Sequence, residues 1–138
     1  MWVVTSEEDI AIARLGYELL AKGDLEGVLE LIDPDVELEI HTGRPDLPES
    51  HVLRGHDGFL ENLTGLIEVF QDVEVTPEEF IEAGDELIVT IHTVGHGRAS
   101  GIRVENSVTH LWTIRDGKAT RFRVFATKEE ALEAARLG

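Results

Sequence analysis

The residues of this chain best suited to chemistry sit in one stretch, IRVENSVTHLWTIRDGKATRFRVFA, from Ile102 to Ala126. Two strand-like runs meet there at Asp116-Gly117, a dipeptide that supplies the positive φ angles of a tight hairpin turn. Strand side chains alternate between faces. Val104, Asn106, Val108, His110, Trp112 and Ile114 therefore share one face, and Glu105, Ser107, Thr109, Leu111, Thr113 and Arg115 the other. On the second run Phe122, Val124 and Ala126 oppose Arg121, Arg123 and Phe125. The apolar face is expected to look into the core, with Asn106 and His110 as its polar exceptions. A polar group on such a face costs free energy unless it is paired. His110 is the candidate catalytic residue, because an imidazole titrates near working pH and can act as acid or base. It could equally orient a ligand through one hydrogen bond, or be a core histidine satisfied by Asn106, Tyr17 or a backbone carbonyl. Ile40, Phe59, Leu63, Val108, Trp112, Phe122 and Val124 are the apolar residues expected around it, as core and pocket wall at once. Tyr17 and Asn106 are the further candidate ligand contacts.

A second group of ligating side chains, His41, His51, His56, Asp46 and Glu49, clusters in and around the segment 42–55. Imidazole and carboxylate can hold a metal, but these spacings match no ligand motif. No metal and no cofactor are expected. His56 stands beside Asp57, and an acidic residue suits a helix N-terminus, so the pair is read as the start of a helix. His92 and His96 are read as outward-facing.

The chain has 138 residues, enough for one domain with one core, and is read as a single domain over 1–138. Its 42% hydrophobic content argues against disorder. The 28 acidic against 12 basic residues leave a net charge of −16. Such a surface repels phosphate backbones and anionic lipid, so neither nucleic acid nor membrane is an expected partner. With no cysteine, disulfide and thiol chemistry are excluded. MWVV is too short for a signal or anchor, and no apolar run reaches membrane-spanning length. A cytoplasmic location is expected.

The elements that must position these residues follow from periodicity and punctuation. Thr5 to Lys22 has helical spacing, with Thr5 and Glu8 as a capping box and Gly23 as the stop. Asp24 caps a second helix with Leu25, Val28, Leu29 and Ile32 on one face, and Asp33-Pro34-Asp35 makes a turn. Val36 to His41 alternates as a half-buried strand. Thr42 to Gly55 carries Gly43, Pro45 and Pro48 and is read as a long loop. Gly58 to Phe70 is a third helix. Val73 to Ala83 is a strand interrupted by Pro77, hence an edge or a bulge. Leu87 to Gly97 and the hairpin complete a four-strand antiparallel meander, and Thr127 with Glu130 caps a final helix, Lys128 to Leu137. Helices followed by a run of strands imply an α+β fold: a curved antiparallel sheet wrapped around helices packed on one face, forming a cone-shaped pocket.

YELLAKGDLEGVLELIDPDVELE at 17–39, LRGHDGFLENL at 53–63, EEFIEAGDELIV at 78–89, HLWTIRDGKATRFRVF at 110–125 and EEALEAARLG at 129–138 come in an order that resembles the nuclear transport factor 2-like, SnoaL-like superfamily. That superfamily includes ketosteroid isomerase and limonene epoxide hydrolase. The resemblance spans almost the whole chain and implies the cystatin-like cone; it says less of activity, because the fold hosts enzymes, binding modules and scaffolds. Similarity to ketosteroid isomerase would put its general base at Ile40, its tyrosine at Gly16 beside Tyr17, and its protonated aspartate at or near His110. Base and tyrosine are thus missing. The aspartate of SnoaL-type cyclases would fall where Phe122 and Val124 stand, and the Asp-Arg-Asp group of the epoxide hydrolase has no counterpart. The resulting expectation is a small-molecule-binding protein with an apolar pocket centred on His110, taking a small apolar molecule. A cofactor-independent isomerase, cyclase or hydrolase using His110, and a non-catalytic dimeric scaffold, are the alternatives. A homodimer is expected through an outer face bearing Thr109, Leu111, Thr113 and Phe125.

Overall fold

The computed structural model describes residues 7–41 and 51–137. Four helices accompany one curved, unclosed sheet of six strands in the order β2-β1-β6-β5-β4-β3. Helix α1 covers Glu7–Lys22 and stops at Gly23, whose φ of 76° favours glycine. Helix α2, Leu25–Glu30, is capped by the Asp24 carboxylate, which accepts from the Gly27 amide at 3.0 Å. The Thr5 capping box lies outside the described residues.

Strand β1 runs Ile32–His41, so it begins earlier than alternation indicates and takes in Asp33-Pro34-Asp35, which was expected as a turn. Ile32 thus belongs to the sheet, not to the second helix. The segment read as one long loop contains a short strand, β2 (His51–Arg54), antiparallel to β1. Residues 42–50, with Asp46 and Glu49, lie outside the described residues. Helix α3 is Gly55–Val69, β3 is Phe70–Ala83, β4 is Glu86–Gly97, β5 is Arg103–Arg115, β6 is Lys118–Phe125 and α4 is Lys128–Leu137. The meander from β3 to β6 is antiparallel as expected. Strand β3 is a sheet edge, and its register shifts between Pro77 and Glu79. The β5–β6 turn has both Asp116 and Gly117 at positive φ, as a tight right-twisting hairpin requires. One seam departs from the antiparallel expectation: β1 runs parallel to β6, making the sheet mixed. Alternation specifies a strand's faces but carries no information about the direction of its neighbour.

The main core lies on the concave face, under α1, α2 and α3, and joins Val36, Leu38, Leu87, Val89, Ile91, Trp112 and Phe122. The helices are not all on that face. Helix α4 packs on the convex side, where Ala131 seals Ile88, Leu111 and Phe125 in a smaller cluster. Thr127 caps it by accepting from the Glu130 amide at 3.2 Å. Leu111, Phe125 and Thr109 are consequently buried within the chain. The patch expected to form a dimer contact is largely covered by the chain's own last helix. Among the described residues no helix is long and apolar enough to cross a membrane.

Candidate functional site

Three aromatic side chains from two elements make the centre of the concave face. Trp112 and His110 stand two residues apart on β5, so alternation aims both inward. Tyr17 reaches them from α1, five residues before its C-terminus. The Trp112 indole N–H donates to the Tyr17 hydroxyl oxygen at 2.8 Å. The same hydroxyl lies 2.7 Å from His110 Nδ1. Tyr17 and Trp112 are buried, at 7% and 8% exposure, whereas His110 is half-buried. Among the described residues no hydrogen-bond partner faces His110 Nε2.

Rings close around this relay. The Phe122 ring meets His110 edge to face at 4.7 Å and Trp112 at 4.2 Å, and Phe59 touches Phe122 at 6.4 Å. Ile40, Leu63 and Val108 pack beside them, half-buried, and Val124 is buried in the same cluster. Eight of the nine other expected site residues therefore converge with His110: Tyr17, Ile40, Phe59, Leu63, Val108, Trp112, Phe122 and Val124. Asn106 shares the strand face but is exposed, four residues along β5 from the histidine, and its carbonyl accepts from Thr93 Oγ1 at 3.1 Å. Phe80 on β3 was not anticipated. Its ring meets Tyr17 edge-on at 6.4 Å, and the Arg14 guanidinium lies 4.3 Å over it.

Burial controls the electrostatics. Desolvation pushes the His110 imidazole down to about 3, so the ring is neutral at ordinary pH. Burial drives the Tyr17 phenol far above its usual value of 10, against the smaller opposing effect of the Trp112 hydrogen bond. The relay is thus uncharged throughout. A cavity of about 50 Å³ lies between α1, α2 and the sheet, against Ala13, Gly16, Tyr17, Phe59, Trp112 and Ile114. It is far below the roughly 300–1,000 Å³ of a drug-sized site.

Three other histidines have separate structural tasks. His56 donates from Nε2 to the Ile32 carbonyl at 2.8 Å, tying the start of α3 to β1. His41 stacks on Phe125 at 4.9 Å and contacts Glu39 at 3.1 Å on the convex face. His92 pairs with Glu105 there at 3.0 Å. Arg121 and Arg123 also face outward, Arg121 onto Glu39 and Arg123 onto Glu86 in a buried ion pair. Among the described residues no three His, Asp or Glu side chains converge on a possible metal position.

The sequence matches the profile of the SnoaL-like domain over residues 13–122. It has no significant match among curated proteins. Among solved structures it is similar to TerC co-crystallised with polyporic acid, at 28% identity and a TM-score of 0.76, covering 94% of this chain and 99% of that one. A Burkholderia pseudomallei NTF2-like protein of unknown function superposes with a TM-score of 0.75 at 23% identity, over 93% of this chain and 97% of the other. A Mycobacterium tuberculosis protein in complex with estradiol-17beta-hemisuccinate gives 0.72 at 17% identity, over 90% and 97%.

Proposed function

This chain belongs to the SnoaL-like domain family, and on that premise we propose that it binds a small, largely apolar molecule on the concave face beside His110. The observation that carries the reading is the hydrogen-bonded relay from Trp112 through Tyr17 to a half-buried imidazole, set in an apolar wall. Small-molecule sites combine that composition with a few placed polar groups. The proposed position of the ligand is the concave face against His110, Val108, Leu63 and Ile40, rather than the small cavity beneath α1 and α2. TerC with polyporic acid and the mycobacterial protein with estradiol-17beta-hemisuccinate are relatives of the same fold that hold bulky ligands.

Binding is favoured over acid–base catalysis. A general base works best with a pKa near the operating pH, and His110 is held at about 3. It is favoured over a filled scaffold because His110 is half-buried where Tyr17 and Trp112 are buried. Homodimerisation stays part of the reading, through a surface other than the α4-covered patch, and light scattering at micromolar concentration is expected to give twice the 15.3 kDa chain mass. The proposed compartment is the cytoplasm.

A thermal-shift series with polyporic acid, estradiol-17beta-hemisuccinate and a panel of aromatic and terpenoid compounds tests the binding. A ligand selective for the folded state raises the melting temperature by mass action. Hits are expected to weaken in His110→Leu, which keeps bulk and removes the polar group. Hits that bind His110→Leu unchanged would remove the histidine from the site, and a panel without any hit would speak for the scaffold.

A further inference from the structure

We infer that Tyr17 and Trp112 act as positioning residues that lock His110 in the tautomer protonated at Nε2, so that the site recognises a ligand through a carbonyl-type oxygen acceptor. The inference rests on the binding reading above and adds the polarity of the contact.

The direction of the relay follows from donor and acceptor inventory. An indole nitrogen can only donate. The Tyr17 oxygen, 2.8 Å from Trp112 Nε1, is therefore an acceptor on that side. A phenol has a single hydrogen, and the other polar atom at Tyr17 among the described residues is His110 Nδ1, at 2.7 Å. Donating to it satisfies the phenol completely. The reverse arrangement, with Nδ1 carrying the proton, would leave the phenolic hydrogen buried and without an acceptor, which is the costly condition. Nδ1 is consequently the lone-pair nitrogen. A neutral imidazole has one N–H, which then sits on Nε2, on the far side of the ring from Tyr17.

The surroundings restrict what can meet that hydrogen. The packed neighbours of His110 are Tyr17, Trp112 and Phe122 rings, and the surrounding cluster is hydrocarbon. Among the described residues none of the rings packed on His110 carries a charge, and the Arg14 guanidinium sits over Phe80, which meets Tyr17 rather than the imidazole. A fixed neutral donor in an apolar wall selects an uncharged oxygen acceptor on an apolar body. A ligand offering only a donor, or only hydrocarbon, leaves the buried N–H unpaired. Discrimination of this kind is large when the unpaired group belongs to the site.

Two measurements test the inference. Nitrogen-15 NMR of the imidazole side chains, with His110 assigned by its loss in His110→Leu, is expected to show a protonated Nε2 and an unprotonated Nδ1, unchanged between pH 8 and pH 5. In Tyr17→Phe the tautomer preference should collapse toward a mixture. A wild-type ring protonated at Nδ1, or an equal mixture, overturns the proposal even if Tyr17→Phe fails to fold. The second measurement compares 9-fluorenone with fluorene, which share a flat body and differ in the carbonyl. Fluorenone is expected to bind about tenfold tighter to the wild type, and the preference is expected to vanish in His110→Leu. Equal binding of both overturns the acceptor inference but leaves the binding site standing. Binding of neither removes both.

Discussion

Acid should destabilise this protein through His110. The free imidazole titrates near 6.5, and burial holds the folded ring at about 3. Between those values the unfolded chain binds a proton that the folded chain refuses, so acid favours unfolding. The stabilisation is complete above pH 6.5 and is lost progressively as pH falls toward 3. Each pH unit in that window is worth about 1.4 kcal/mol for one group. At pH 4.5 the difference from neutral pH comes to about 2.7 kcal/mol if the desolvation is complete. His110 is half-buried as a residue, which makes that figure a ceiling and about 1 kcal/mol a reasonable floor. The perturbation is His110→Leu, which cannot take the proton in either state. Urea unfolding of both proteins at pH 7.5, 5.5 and 4.5 gives the difference directly. Every other ionisable side chain is present in both proteins, so its contribution cancels in the comparison. Wild type is expected to lose about 1–2.7 kcal/mol more than the variant between pH 7.5 and 4.5. Parallel curves for the two proteins would refute the neutral, desolvated imidazole and with it the electrostatic basis of the site.

Three further outcomes are expected. Glu86→Gln should cost about 3–5 kcal/mol in chemical denaturation, because the Arg123 guanidinium is left as a buried charge; replacing both residues by Leu and Met should cost less than either single change. Leu38→Ala removes a side chain with 0% exposure from the concave core and should cost about 3–5 kcal/mol by the same measurement. Burial raises the Glu39 carboxyl, but hydrogen bonds from Arg121 and His41 outweigh it and hold the group at about 2. In Arg121→Gln a carbon-13 titration of Glu39 should show its midpoint rising toward the ordinary 4.5, and an unchanged midpoint would assign the effect elsewhere.

Much of this architecture was legible from local rules. The Asp24 and Thr127 caps, the Gly23 stop and the Asp116-Gly117 turn depend on a few adjacent residues, and each took the form its chemistry demands. Period-two alternation aimed His110, Trp112, Phe122 and Val124 at the concave face because strand geometry leaves no other choice. Composition determined that no thiol chemistry is possible.

Tertiary structure decided the rest. Phe80 escaped the strand pattern because the bulge after Pro77 inserts one residue and exchanges the faces beyond it. Val75 points into the concave core and so does Phe80, five positions later, while Ile81 and Ala83 meet α4. Nothing in the local sequence states on which strand pair that extra residue is absorbed. The parallel seam between β1 and β6 and the burial of Leu111 and Phe125 under α4 likewise depend on elements far apart in the chain. So does the relay itself. Tyr17 and His110 are separated by 93 residues, and the hydrogen bond between them exists because α1 crosses the concave sheet at the level of Trp112. Sequence named the polar residue on the apolar face; only the packing of a distant helix determined what its nitrogen is bonded to.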